Sequence, residues 1–435
     1  MKILFLTLAH PNKKSGANTY VKNLITNIQK NIDTHVIWIV CEPKKIQEEK
    51  SENSSIYDIR DFDDAVEILK KTNPDCVFAI NNKFNPTQHA ISIAAKFQGI
   101  PLIHFKIIEK AEDEIQKNEE MKNIPKITIQ NFKKVTNESD TNNVESENFK
   151  RRDFIMFKHK FLYKTRSKTK LNVIENIYHF FNDVSSYFWK KERIHAIADL
   201  QLVNNKDWMN YFKKIGFDEN KLALTGSPIW DPIYEKIVKR NVDKVDPNEK
   251  QIQILIITAP LVEHGYGTYD ERDNFLKSII DKLKSEDYKV DLKIHPSSES
   301  KKSYQKFLEK NQFEVSIYQN EKLWDIIEKY EVVLTYGYGY PQIECAFGGI
   351  RTILCKTKWD FPKIPIVKAA MKSGYFVNCE NLENIVPIIH DLLKKEFKIN
   401  EEIKIEREKL SYKFDGKAAE RATTAIFQLL KKERK

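Results

Sequence analysis

The chain has 435 residues, 41% of them hydrophobic, a length and composition that predict two domains with sizeable cores. Its 72 Lys and Arg against 62 Asp and Glu give a net charge of +10, a mild bias that suits an anionic ligand but is no argument for nucleic acid. Five cysteines without a C-x-x-C pair argue against a zinc site or a disulfide framework. No apolar run approaches the roughly 20 residues of a membrane span, so we expect a cytoplasmic protein.

The first half of the chain alternates short apolar runs with helical patterns. The run KILFLT precedes a polar turn and a helix predicted at residues 17–30, and the runs THVIWIV, DCVFAI and IPLIHF follow, with helices predicted at 63–71 and 87–98. Buried strands that alternate with helices indicate a parallel sheet covered on both faces. After an interruption, ADLQLVN and LALTGSP resume the pattern, so we predict an N-terminal domain at 1–235.

The interruption is an insertion at about 109–191. Its first part, 109–148, is rich in Glu, Lys, Asn and Ser, which predicts partial disorder. Basic residues alternate with aromatic ones at 151–170, and a helical, aromatic stretch follows at 174–191. The simpler interpretation of 151–170 is a solvated charged face. The alternative is contact with anionic lipid headgroups at the inner face of the plasma membrane, or with a polyanionic acceptor.

The second half repeats the α/β pattern after a charged linker at 236–250. Strands are predicted at QILIITA, VDLKIHP, FEVSIY, EVVLT and RTILC, with helices between them. We therefore predict a second Rossmann-like domain at 251–414 and a C-terminal helix at 415–435 that crosses back to the first domain. Two such doubly wound domains would face a cleft, with ligands beyond the carboxyl ends of the strands.

The most informative motif is EVVLTYGYGYPQIECAFGG, in which a buried strand runs into a turn containing Gly337 and Gly339. Pro341 suits the first position of a helix. Glycine lets the backbone approach a ligand closely, and the free N–H groups of a helix start favour phosphate. Glu344, one turn into this helix, can accept hydrogen bonds from both hydroxyls of a ribose. The alternative is a plain turn, with Glu344 merely favourable for the helix dipole.

A second motif, KIHPSS, ends another predicted strand. Lys293 and His295 lie on one face of the strand end, Pro296 stops the strand, and Ser297 and Ser298 can cap the next helix. A lysine and an imidazole N–H suit a diphosphate leaving group, whose charge grows in the transition state. Since both motifs lie at carboxyl ends of one predicted sheet, we predict a shared pyrophosphate site. The alternative is a histidine packed into the sheet end.

Two loop histidines are candidate catalytic residues. His264 follows the strand IITAP, next to Glu263, and could contact phosphate or sugar. His10 follows the first strand, and we predict it as the base that accepts a proton from an acceptor hydroxyl. For both, an ordinary exposed loop histidine is the alternative. The nearby Gly16 stands alone, so a G-x-G-x-x-G dinucleotide fingerprint is absent.

With these motifs the chain resembles the GT-B superfamily, which holds many glycosyltransferases and the UDP-N-acetylglucosamine 2-epimerases. The resemblance covers most of the chain outside 109–191. It is most specific at Thr335–Gly349, where Gln342 and Glu344 look like the family segment that holds ribose through a glutamate. KIHPSS is also similar to the His-Pro motif of bacterial sialyl- and glycerophosphotransferases, whose histidine contacts the donor phosphate.

Departures from the epimerases weaken the epimerase interpretation. Where the epimerases carry an acidic residue after the strand matching DCVFAI, this chain has Asn81, Asn82 and Lys83. Lys106 and Ile107 occupy the region of their catalytic glutamate. The opening loop SGANTYVKNL instead looks like glycosyltransferases that act on lipid-linked or surface polysaccharides.

The resemblance therefore implies a metal-independent glycosyltransferase without a cofactor, using a UDP- or CMP-linked sugar donor and a polysaccharide, glycolipid or other glycan acceptor. Three alternatives stay open. The chain could be an isomerase or hydrolase of the same donor, a glycerophosphotransferase of the CDP-glycerol type, or a GT-B protein without catalytic activity.

Overall fold

The computed structural model describes the following residues: 1–7, 10–12, 16–42, 45–80, 85–106, 141–169, 197–214, 216–238, 251–296, 298–337, 339–358, 364–396 and 399–433. These form two compact units. Unit 1 comprises the described residues of Met1–Ala111, Asn142–Glu235 and Glu408–Lys435, and unit 2 those of Glu112–Thr141 and Lys236–Arg407.

The described part of unit 1 contains an eight-stranded sheet, in the order β3-β4-β2-β1-β5-β6-β7-β8. The strands are β1 (Lys2–Thr7), β2 (His35–Val40), β3 (Glu49–Lys50), β4 (Ser54–Asp58), β5 (Cys76–Ile80), β6 (Leu102–Phe105), β7 (Leu200–Val203) and β8 (Leu222–Leu224). All neighbours pair in parallel except β3 and β4. The sequence pattern did not predict β3 and β4, because their residues do not form a continuous apolar run.

Helices cover both faces of this sheet. Those before the linker are α1 (Gly16–Gln29), α2 (Ala65–Thr72), α3 (Pro86–Phe97), α4 (Thr141–Lys168), α5 (Lys206–Lys214) and α6 (Asp231–Val238). Successive β1 side chains point to opposite faces, so Ile3 and Phe5 join the core beneath α1, whereas Leu4 and Leu6 join the core beneath α2, α3, α4 and α5. Burial on both faces is why the strands are almost wholly apolar.

The insertion contributes α4, which packs on unit 1. Phe161 and Leu162 of α4 are buried in the core, and Thr165 accepts a hydrogen bond from the Ala65 N–H at 3.0 Å. Lys168 forms an ion pair with the α2 cap Asp64 at 2.5 Å. One face of the basic and aromatic segment is thus structural, and its contact with lipid stays a prediction. The predicted helix at 174–191 lies outside the described residues.

Unit 2 contains a parallel sheet of six strands in its described part, in the order β11-β10-β9-β12-β13-β14. The strands are β9 (Gln253–Thr258), β10 (Lys289–Lys293), β11 (Ser316–Tyr318), β12 (Val332–Tyr336), β13 (Thr352–Cys355) and β14 (Phe376–Cys379). The sequence predicted the first five, but it missed β14, a short strand interrupted by Asn378. The prediction of an α/β fold with two parallel-sheet domains is confirmed.

The helices that follow α6 complete the chain. They are α7 (Tyr269–Ser285), α8 (Lys301–Lys310), α9 (Leu323–Ile326), α10 (Tyr340–Gly348), α11 (Pro365–Lys372), α12 (Ile385–Lys394), α13 (Glu401–Leu410) and α14 (Ala418–Glu433). Short 3-10 helices lie at Ile59–Asp61, Glu219–Lys221, Ile327–Lys329 and Leu382–Asn384. Among the described residues, no helix is both long and apolar enough to cross a membrane.

The C-terminal helix α14 packs against α1 within unit 1, where Ala422 and Ile426 enter the core. The carboxylate of Asp231 accepts the N–H groups of Ala418 and Ala419, at 3.1 and 2.6 Å, and so caps the helix start. Burial raises the pKa of Asp231 to about 6.

Candidate functional site

The unit 2 sheet reverses its strand order between β9 and β12. From β9 the chain moves to β10 and β11 on one side, then to β12 and β13 on the other. Ligands of open parallel sheets bind at such a switch point, beyond the carboxyl ends of the strands. Ile257 of β9 pairs with Lys293 on one side and with Thr335 on the other. The two predicted motifs therefore flank the same strand.

The turn after β12 depends on Gly337. Its φ is +94°, a conformation that residues with a side chain rarely adopt. A Cβ atom here would lie 2.9 Å from the Ala259 Cβ and 3.1 Å from Leu261. The turn thus packs directly on the segment that leaves β9, and glycine provides the room for this approach.

The next helix, α10, begins at this turn without a side-chain cap, and its N-cap residue is Gly339. Pro341 has no N–H and the Gln342 N–H donates to the Gly339 carbonyl at 3.2 Å, so the helix start would attract an anion mainly through its dipole. The Gln342 amide donates hydrogen bonds to the Gly337 carbonyl at 2.7 Å and to Thr335 Oγ1 at 3.2 Å. In this structure Gln342 fixes the turn, and its predicted contact with a ligand stays a prediction.

Glu344 lies one turn into α10 and is half-buried. Burial raises the pKa of its carboxyl to about 7, and Lys293 is the main group that opposes this rise. The side chain of Trp324, which also opposes it, packs on the same face of the helix, since a Cβ at Gly348 would lie 2.1 Å from its ring. Lys293 and Glu344 are thus close enough to influence each other across β9.

Lys293 is the last residue of β10 and is largely buried, and His295 lies in the turn that follows. Burial lowers the pKa of His295; Glu299 opposes this, while His264 and Lys293 lower it further. The Ser298 N–H donates to His295 Nδ1 at 3.1 Å. The neutral imidazole therefore carries its proton on Nε2, where it can donate a hydrogen bond. Ser297 lies outside the described residues.

His264 belongs to the loop between β9 and α7. Its N–H donates to the Pro260 carbonyl at 3.0 Å, and Gly265 follows with a φ of +78°. His264 lowers the pKa of His295, so this predicted catalytic residue belongs with Lys293 and His295 in the candidate site. Burial also raises the pKa of the neighbouring Glu263.

The buried residue Glu299 was missed by the sequence analysis. Its Oε2 accepts the His295 N–H at 2.6 Å and the Thr258 hydroxyl at 2.8 Å, and its Oε1 accepts the Tyr304 hydroxyl. A weak signal was available, because an acidic residue stands just before the N-cap of α8, Ser300. Its partner Thr258, however, is 41 positions away.

His10 lies in unit 1, where neighbouring groups hold its ring. The Asn12 N–H donates to Nδ1 at 3.2 Å, and Nε2 lies 3.2 Å from Glu49 Oε1. Its backbone N–H donates to Glu42. Both ring nitrogens have partners, so His10 would have to exchange its bond with Asn12 before it could accept a proton. Its role as a base stays a prediction.

No protein-family model matches the sequence, and no curated protein does so. Among solved structures, UDP-GlcNAc 2-epimerase from Methanocaldococcus jannaschii is similar, with 14% identity, a TM-score of 0.51, and coverage of 98% of this chain and 100% of that one. A Listeria monocytogenes protein assigned as a UDP-N-acetylglucosamine 2-epimerase is also similar, with 14% identity, a TM-score of 0.50, and coverage of 99% and 97%. The chain has the GT-B fold. At this identity the likeness establishes the fold alone.

Within this GT-B fold, Lys106 directly follows β6. Its side chain is buried, and its Nζ lies 3.2 Å from the centre of the Trp208 ring. The other departures from the epimerase pattern, at 81–83 and at Ile107, lie outside the described residues.

Proposed function

We propose that the protein binds a nucleotide-diphosphate sugar at the carboxyl edge of the unit 2 sheet and transfers the sugar to an acceptor. The observation that carries this proposal is the convergence of Lys293 and His295 with the Gly337 turn and Glu344 around β9. A cation, an imidazole N–H and the positive end of a helix dipole suit a diphosphate, and a carboxylate suits the two hydroxyls of a ribose.

Transfer of the sugar leaves a nucleoside diphosphate, whose negative charge grows as the sugar bond breaks. Lys293 and the Nε2–H of His295 would stabilise that charge, together with the dipole at the start of α10. His264, close to His295, is the unit 2 candidate for contact with the sugar. The acceptor hydroxyl must lose a proton, for which we propose His10 or His264.

The second candidate function is isomerisation or hydrolysis of the same donor. It is favoured by the fold shared with the M. jannaschii epimerase. The buried Lys106, in the region where the resemblance places the epimerases' catalytic glutamate, argues against it, because removal of a proton from the sugar ring needs a base. We therefore prefer transfer to a polysaccharide, glycolipid or other glycan acceptor.

Incubation with the donor alone separates these functions. Purified protein and UDP-N-acetylglucosamine would be followed by proton NMR without an acceptor. We expect the sugar signals to stay largely unchanged over many hours. A new epimer would identify an isomerase, and free sugar with UDP would identify a hydrolase.

Nucleotide binding itself is tested by thermal unfolding with UDP, CMP, GDP and ADP. A ligand at 100 times its dissociation constant stabilises a protein by about 2.7 kcal/mol, which is readily measured. We expect one pyrimidine nucleotide to give the largest shift. If none of the four raises the unfolding temperature, the nucleotide site is wrong.

A further inference from the structure

The buried carboxylate of Glu299 joins three elements of unit 2. It lies just before α8, and the residue is only 5% exposed. It accepts hydrogen bonds from Thr258 at the end of β9, from the backbone of His295 after β10, and from Tyr304 of α8. Burial of a carboxylate is costly unless such bonds compensate for the lost water. The three hydrogen bonds thus replace the carboxylate's contacts with water and hold it in one position.

That geometry fixes the His295 turn. Glu299 holds the backbone N–H of His295, and the Ser298 N–H in the same turn holds the imidazole at Nδ1. The direction of the Nε2–H bond therefore depends on the turn that Glu299 anchors. On the far side, Arg272 stacks 4.2 Å from the Tyr304 ring and donates to Ser303, which keeps the Tyr304 hydroxyl next to Glu299.

We propose that Glu299 is a positioning residue, which anchors the His295 turn so that the imidazole Nε2–H meets a phosphate of the bound nucleotide. This proposal rests on the proposed nucleotide site and adds a residue that acts only through His295. Glu299 itself is enclosed by its donors, and its negative charge would repel a phosphate, so it is not a ligand contact.

A double-mutant cycle tests whether Glu299 acts through His295. UDP affinity would be measured by calorimetry for the full chain and for E299Q, H295A and the double variant. We expect E299Q to weaken binding about tenfold in the wild-type background, but less than twofold in the H295A background, because contacting residues couple whereas independent ones add. Equal losses in both backgrounds, or no loss at all, would overturn the proposal.

Asp291, in β10 of the same unit, provides a matched control. It too is buried, and it accepts hydrogen bonds from the Tyr330 hydroxyl at 2.6 Å and from the Ser316 N–H at 3.1 Å. We expect D291N to lower the unfolding temperature but to change UDP affinity less than twofold. If E299Q does not fold, Y304F replaces it, since that variant removes one donor to Glu299 and keeps the ring. It should weaken UDP binding in the same direction.

A measurement made without nucleotide distinguishes an error in the role of Glu299 from an error in the proposed nucleotide site. His264, Lys293 and Glu299 all influence the titration of His295, and Glu299 is the group that raises its pKa. The His295 imidazole signal, assigned by NMR with H295A, should therefore titrate at lower pH in E299Q. An unchanged titration would refute the coupling of Glu299 to His295. Absence of UDP binding by the wild type would instead overturn the nucleotide site.

Discussion

Glu344 of α10 has a carboxyl whose pKa is shifted by its surroundings. It is half-buried, and burial raises the pKa of its carboxyl to about 7, against an ordinary value of 4.5. Lys293 opposes the rise, so the carboxyl titrates close to neutral pH. Its ionised form accepts hydrogen bonds from ribose hydroxyls better than its protonated form does. Nucleotide affinity should therefore depend on pH in a range that is easily measured.

We predict that UDP affinity rises roughly tenfold between pH 6 and pH 8, because the ionised fraction of a group with a pKa near 7 rises by about that factor. Calorimetry at pH 6, 7 and 8 measures this change. In E344Q the affinity should be lower and nearly independent of pH. A wild-type profile that stays flat, or one that E344Q leaves unaltered, would remove Glu344 from the ribose contact.

The same pKa predicts an opposite effect on stability. Because the folded-state pKa lies above the ordinary value of 4.5, the contribution of Glu344 to stability is present below that pH and is lost as the pH rises through about 7. E344Q should thus be more stable than wild type at pH 8, by on the order of 1–3 kcal/mol, with the half-exposed side chain partly screened. Urea unfolding at pH 5 and pH 8 checks this prediction, and a gain that is equal at both pH values would contradict it.

A substitution of Lys293 distinguishes binding of the phosphates from binding of the nucleoside. We expect K293A to weaken UDP binding by about 10–100-fold, the range for a lost hydrogen bond to a charged group. Uridine binding should weaken far less, because Lys293 affects the nucleoside only through the pKa of Glu344. Lys289, exposed at the start of the same strand, is the control, and K289A should bind UDP normally. Equal losses for UDP and uridine in K293A would show that Lys293 does not contact phosphate.

At the scale of elements, the corner between β12 and α10 depends on backbone geometry. Gly337 has a φ of +94° and no room for a Cβ beside Ala259, whereas Gly339 is extended, and a Cβ there would lie 3.3 Å from Pro341. We predict that G337A lowers the free energy of unfolding by about 1–3 kcal/mol and weakens UDP binding, while G339A costs less than about 1 kcal/mol. Urea unfolding of both variants tests this difference, and equal destabilisation would contradict it.

The helices and strands were largely predictable from sequence, but the side-chain hydrogen bonds that join them were not. Apolar runs and helical periodicity predicted α8 with its observed bounds, Lys301–Lys310, and most strands within one or two residues. The pattern missed β4 and β14, because serine and asparagine interrupt their apolar residues. It also missed Glu299, since a carboxylate followed by a serine cap is indistinguishable from a solvated helix start until Thr258 and Tyr304 are beside it.

At the scale of the whole molecule, the order of strands converts two separate motifs into one candidate site. The sequence indicated that KIHPSS and YGYGYP each follow a strand, but it could not show which strand lies between them. In the structure that strand is β9, and the switch point beside it brings Lys293, His264 and Glu344 together. The predicted ligand contact of Ser297 lies outside the described residues, and His10, the predicted base, belongs to unit 1.

A nucleotide bound at this switch point should leave a local footprint in the full-length protein. We predict that saturating UDP slows amide hydrogen exchange at residues 293–299 and 335–344, because the ligand holds these turns and the α10 start against local opening. Unit 1 peptides from β1 and α1, and the distant β14 peptide of unit 2, should exchange as before. Hydrogen exchange with mass spectrometry measures all of these at once. Protection confined to unit 1 would move the nucleotide away from Lys293 and Glu344, and uniform slowing everywhere would indicate global stabilisation without a located site.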